Sequence, residues 1–323
     1  MKFVSVPKNG SSWRKPLLYA IDTESESEQD VEIEIKEVYT GRVLGRQLLH
    51  RITAAEVNIA PYILGAVSVE PIVTSSATVV VSPSAICVYV VANGVYSPML
   101  QFFRESVHMD ITTILSHGSF VHGIARGDSF MLSAVVGSHI DVAYTIRRED
   151  DDVSHSQRLI VDVPSPVEIV IPISPLDVSA CTLCVTLRID DEIDREFEVE
   201  IVEPLEMSRR VVWYNERGGV ECYTFPVATP RKVDVRVDSR CQDVLPGRVV
   251  ESSVSYRLLS HNELQTDMNR VVGMLRSPEL YDVTNRKLQP LRLLSRELML
   301  DSHGRLSRLE LDCVEEWKGG ALW

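Results

Sequence analysis

The chain has 323 residues, 45% hydrophobic and 24% charged, a globular composition rather than that of a disordered tail. This length fits two or three ordinary domains. A net charge of −13 argues against a protein that grips nucleic acid through its phosphates.

In chain order, the segment Met1 to Pro7 lacks the apolar core of a secretory signal, so no export is expected. Val31, Ile33 and Ile35 interleave with Glu32, Glu34 and Lys36, the pattern of a half-buried antiparallel strand. The longest uncharged stretch, 71–103, is interrupted by Pro71, Pro83, Gly94 and Pro98. A membrane helix needs about 20 apolar residues in succession, so consecutive buried strands are expected there and no membrane insertion. Further strands are predicted at 78–81, 85–91, 131–136, 140–146, 158–163, 167–173, 181–189 and 196–202. They are rich in Val, Ile and Thr, and turn-forming residues separate many of them. The run Glu149-Asp150-Asp151-Asp152 reads as a loop tip and Asp190-Asp191-Glu192 as a hairpin turn.

The last third differs. Leu264, Met268, Val271, Val272 and Leu275 recur at helical spacing. Ser260 with Glu263 fits a capping box, and Ser277-Pro278 ends the helix. Strands are predicted at 291–294, 298–300 and 306–314, the last two joined at Asp301-Ser302-His303-Gly304. The expected fold is mainly β: two β-sandwich-like units, 1–72 and 73–204, followed by an α+β unit, 205–323, with one helix on an antiparallel sheet. Charge follows this division. Residues 1–204 hold 15 Lys and Arg against 29 Asp and Glu, and residues 205–323 hold 18 against 17. Either the near-neutral C-terminal part docks while the acidic part faces solvent, or the contrast is compositional drift.

Motifs of chemistry do not accumulate. The six cysteines are expected as free thiols in a chain without an export signal. Cys181 and Cys184 would point to opposite faces of a strand and share no metal. His108, His117, His122 and His139 have irregular spacing. Arg126-Gly127-Asp128, the tripeptide associated with integrin adhesion, sits where a turn must precede a strand. No nucleophile elbow, phosphate loop or dinucleotide fingerprint occurs, so neither an enzyme nor a cofactor is expected.

One segment stands out, Val211 to Phe225. Apolar residues lead into Asn215-Glu216-Arg217-Gly218-Gly219, and Tyr223 and Phe225 point the same way on the return, so a β-hairpin is predicted. Trp213, Tyr214, Tyr223 and Phe225 supply large contact area, either as a core pair beneath a domain or as an exposed contact ridge. Trp213, Tyr214, Asn215, Gly218, Gly219, Tyr223 and Phe225 are the candidate site residues.

This hairpin resembles one found in a β-rich family associated with tail or virion structural genes of phages and prophages in gut Bacteroidetes. Pro16-Leu17-Leu18-Tyr19, Asn58-Ile59-Ala60-Pro61-Tyr62, Val272 to Pro278 with Tyr281, and Gln289-Pro290-Leu291 are similar in order. The resemblance implies a non-enzymatic structural protein, assembled in the host bacterial cytoplasm and then carried in the particle. Its partners would be other structural proteins of that particle, further copies of itself included. The alternative is a glycan-binding or adhesion module, with Trp13, Trp213 or Trp317 as stacking faces.

Overall fold

The computed structural model describes residues 1–67, 70–106, 113–116, 123–162, 164–189, 192–237, 249–277, 279–294, 299–303 and 305–318. It is mainly β, in the sandwich-like arrangement that the period-two alternation predicts.

In the strand Gln29–Glu37, Val31, Ile33 and Ile35 are fully buried while Glu32 faces solvent. This strand pairs with Val43–Ile52 on one side and Ile86–Ala92 on the other. Leu100–Phe103 and Ser11–Ser12 extend the sheet. A second sheet of Lys2–Ser5, Leu18–Asp22 and Ala54–Asn58 closes the first sandwich. Tyr19, Ile21 and Val57 meet Ile33, Ile35, Val88 and Val90 in one core.

The middle sandwich opposes two sheets. One holds, in order, Thr113–Ile114, Ser129–Val136, Ser165–Pro172 and Thr78–Val81. The other holds Ile124–Ala125, Glu192–Val202, Ala180–Ile189, His139–Arg148 and Asp152–Ile160. The acidic run therefore supplies Asp152 to a strand, which begins six residues earlier than the expected 158. Asp190 and Asp191 lie outside the described residues.

Sheet pairing does not divide the chain by a single cut near residue 72. Residues 86–103 belong to the first sandwich, whereas Thr78–Val81, upstream of them, belongs to the middle one. The chain crosses to the middle unit, returns, and crosses again. Both segments read locally as apolar strands. Which sheet each joins is set by a partner far away in sequence, Ile35↔Val90 in one case and Ile169↔Val79 in the other.

The C-terminal unit is a nine-stranded antiparallel sheet. Its main path runs Val220–Phe225, Arg209–Tyr214, Leu280–Asp282, Gln289–Leu293, Leu306–Lys318, Val249–Leu259 and Val227–Val237. Met299–His303 pairs with Leu306–Lys318 as a hairpin, but Asp301, Ser302 and His303, expected in the joining turn, continue the strand instead, and Gly304 lies outside the described residues. The helix Gln265–Val272 continues as a 3-10 turn, Gly273–Arg276, and buries Met268, Val271 and Met274 against the sheet.

Two expectations for this helix need correction. Leu264 is the N-cap and is exposed, so it lies off the buried stripe. The capping box is absent: the Ser260 hydroxyl accepts the Leu309 N–H at 2.8 Å, and Glu263 accepts the Tyr223 hydroxyl at 2.6 Å. Both side chains serve tertiary contacts that spacing alone does not reveal. Met268→Ala empties a fully buried site between helix and sheet. It is expected to cost about 2–5 kcal/mol in urea unfolding.

Candidate functional site

The predicted hairpin forms. Arg209–Tyr214 pairs with Val220–Phe225, in register from Arg209↔Phe225 to Tyr214↔Val220. Asn215 builds the turn: its side-chain oxygen accepts the N–H groups of Arg217 at 2.9 Å and Gly219 at 3.0 Å. Gly218 takes φ +78°, a conformation that a side chain would strain.

Both faces of the hairpin are buried, each against a different layer. Val211, Trp213, Tyr223 and Phe225 pack under the helix with Met268 and Val271. Tyr223 and Phe225 meet edge to face, with ring centroids 4.9 Å apart. Val212, Tyr214, Val220 and Cys222 pack instead on Met131 and Val170 of the middle sandwich. Ser129–Val136, covered by its own core on one face and by this hairpin on the other, is buried along its whole length. The four aromatic candidates are thus interior side chains, at most 4% exposed, rather than an exposed ridge.

The turn is seated by hydrogen bonds to the middle unit. The Asn215 side-chain amide donates to the Leu115 carbonyl at 2.9 Å and to Glu221 at 2.8 Å. The Val220 N–H donates to the Ser133 hydroxyl at 3.0 Å, and the Ser116 hydroxyl to the Val220 carbonyl at 2.5 Å. Gly219 touches the same place. A Cβ there would lie 2.6 Å from the carbonyl carbon of Leu115 and 2.8 Å from its oxygen.

Beside Tyr214 all three units meet around a buried cation. The Arg104 guanidinium lies 3.5 Å from the Tyr214 ring centroid and 5.9 Å from that of Trp13, and pairs with Glu279. Trp13 donates its indole N–H to the Ser84 carbonyl at 2.8 Å. Ser84 and Ser82 share a hydrogen bond of 2.8 Å, and Ser82 donates to Glu168 at 2.6 Å. Burial raises the Glu168 carboxyl above the usual carboxylate range, against the opposing pull of Ser82, Arg104 and the Ile72 backbone. Sequence reasoning missed Arg104 and Glu168. The available signal was position: Arg104 is the first charge after the long uncharged stretch, and Glu168 interrupts the apolar run from Val167 to Ile171.

Next to this junction a cleft of about 430 Å³ opens between the hairpin and the helix. Its charged lining is largely paired within the chain: Arg14 meets Glu105 at 3.3 Å, Arg270 meets Asp267 at 3.3 Å, and Glu221 accepts Asn215. Among the described residues no cluster of three His, Cys, Asp or Glu could hold a metal ion. Of the histidines weighed earlier, His108, His117 and His122 lie outside those residues, as does Cys241. The remaining five cysteines are free thiols.

Arg126-Gly127-Asp128 is a turn, as its position before a strand predicts. Arg126 pairs with Glu203, and Asp128 is buried with its carbonyl accepting the Ile173 N–H at 2.8 Å. The glycan alternative named three indoles. Trp13 and Trp213 are buried, and the Trp317 side chain lies outside the description.

No family model and no curated protein matches the chain. Among solved structures, it is similar to the chicken interferon gamma receptor alpha chain at 11% identity and a TM-score of 0.17. That match covers 61% of this chain and 98% of the receptor chain. It is also similar to a Salmonella alpha-2-macroglobulin mutant at 10% identity and a TM-score of 0.22. That match covers 99% of this chain and 21% of the other, so the chain spans about a fifth of that protein. At these scores neither likeness informs function.

Two outcomes test the junction. Gly219→Ala drives a methyl group into backbone that cannot swing aside, and should destabilise the chain by about 2 kcal/mol or more in urea unfolding. Glu168 holds its proton more tightly folded than unfolded, so its contribution is full below the unfolded pKa and is lost as pH rises through the folded value. Glu168→Gln stays neutral and should gain stability relative to the native chain as pH is raised from the acid range to neutrality. Parallel pH–stability curves would show that the ionisation of Glu168 is not felt at the junction.

Proposed function

We propose that this protein is a non-enzymatic structural component of a phage or prophage tail-like particle, acting through protein–protein contacts. The observation that carries the reading is the burial between units. Hairpin and middle sandwich share a continuous apolar contact, and the chain passes three times between the first two units. A chain joined in this way transmits load as one body instead of bending at linkers.

Surfaces for assembly remain on the outside. Among the described residues, Val43–Ile52, Asp152–Ile160 and Val227–Val237 each end a sheet, and such edges present backbone groups that another chain can pair with. Synthesis in a bacterial host followed by incorporation into the particle belongs to the same proposal. Light scattering after size-exclusion chromatography, on the chain alone and co-expressed with the products of neighbouring genes, should show a species heavier than a monomer. A strict monomer that joins none of them would overturn the proposal.

A further inference from the structure

The outer side of the first sandwich meets the middle one along a groove of about 300 Å³. Its floor carries Cys87 and Gln101, which stand opposite each other in register, and its walls carry Tyr39, Val81 and Ile160. Tyr39 is 67% exposed and Ile160 71% exposed, so large apolar side chains stand in water on both sides of the groove. Two residues beyond Cys87 on the same strand, and therefore on the same face, Tyr89 stacks against Tyr96 with centroids 5.9 Å apart. Tyr96 is itself 68% exposed. Aromatic surface thus continues from the groove onto the open sheet face.

The charge in the groove has one sign. Glu37 and Asp162 line it, and none of its lining residues is Lys, Arg or His. Glu37 is engaged by the Thr40 hydroxyl at 2.6 Å and approached by Arg42 at 3.7 Å. Lys36 stands opposite Tyr89 on the same sheet face, outside the groove lining, and is held by Glu34 at 2.7 Å. Asp162 is exposed and has no ion pair among the described residues. Such a site repels phosphates and acidic sugars and attracts a cation beside apolar groups. The rim also holds the ends of two sheet edges. Ile160 closes the edge strand Asp152–Ile160, and Val81 closes the edge strand Thr78–Val81. An extended chain leaving the groove could continue along either edge by backbone pairing.

We infer that this groove docks an extended segment of a partner protein, with a Lys or Arg side chain directed at Asp162 and apolar side chains against Tyr39 and Ile160. The inference rests on the reading of the protein as one that assembles through protein contacts, and gives the partner a chemistry.

The test uses the purified full chain and two sets of fluorescein-labelled 12-residue peptides, made as about equal alternations of Val, Leu or Tyr with Arg or Lys in one set and Asp or Glu in the other. Fluorescence anisotropy should show binding of the basic set, weakening with added salt, and none of the acidic set. Asp162→Asn and Tyr39→Ala should each weaken that binding by about tenfold. Both side chains are exposed, so thermal melts of the variants should match the native chain. Equal binding of both peptide sets, or variants that bind like the native chain, would overturn the inference. So would a neutral polysaccharide whose retention depends on Tyr39 while the peptides fail, since the groove would then be a sugar site. In the co-expression assay, a Tyr39→Ala/Asp162→Asn double variant that keeps its partners fails the groove alone. A native chain that gains no partner fails the assembly reading as well.

Discussion

A charged guanidinium removed from water is tolerated only where other groups replace its hydration, and Arg104 obtains those groups from different parts of the chain. Its π contacts are Trp13 of the first sandwich and Tyr214 of the C-terminal hairpin, and its carboxylate partner is Glu279. Glu168 of the middle sandwich lies near enough to attract the cation when ionised, although burial favours its protonated form. Removing one of these partners while the interface stays closed would leave the buried cation short of compensation, a penalty of several kcal/mol. Cation–π contact with a desolvated aromatic face adds about 2 kcal/mol. The buried charge disfavours arrangements of the three units that would part it from these groups.

The route of the chain reinforces this constraint. Arg104 directly follows Leu100–Phe103, where the chain leaves the first sandwich for the second time, and Ser82 and Ser84 follow Thr78–Val81, where it goes back. Both crossing points thus lie in the hydrogen-bonded cluster around Trp13 and Glu168. With the junction sealed, the hairpin that from sequence could be core pair or contact ridge is an internal spacer, one face for the helix and one for the middle sandwich. What stays outside is the sheet edges and the acidic groove beside Tyr39 between the first two units, the surfaces on which the proposed contacts rest.

Local pattern foresaw much of this. Alternation at Val31, Ile33 and Ile35 marks the buried face of the first sandwich, and the helical spacing of Met268 and Val271 marks the buried stripe of the helix. Asn215, Gly218 and Gly219 foretell the turn because its geometry depends on those residues themselves. Where sequence reading failed, the deciding partner was remote. Ser260 and Glu263 have the spacing of a capping box, yet Leu309 and Tyr223 compete for them and win. Trp13 and Trp213 are equally good as stacking faces or as core until the neighbours that cover them are known.

What the sequence by itself determined is the class of structure: a β-rich chain with one amphipathic helix, one Gly-Gly hairpin, and an acidic excess confined to its first 204 residues. Periodicity and composition are local quantities, and the strength of an alternating pattern does not depend on which strand lies beside it. The tertiary structure alone decided which strands share a sheet, why 78–81 and 86–103 part company, and how Arg104 and Glu168 come to lie near each other. Those outcomes depend on pairing and desolvation between residues far apart in the chain, where a buried charge is stable only if its partners, contributed by other units, arrive together.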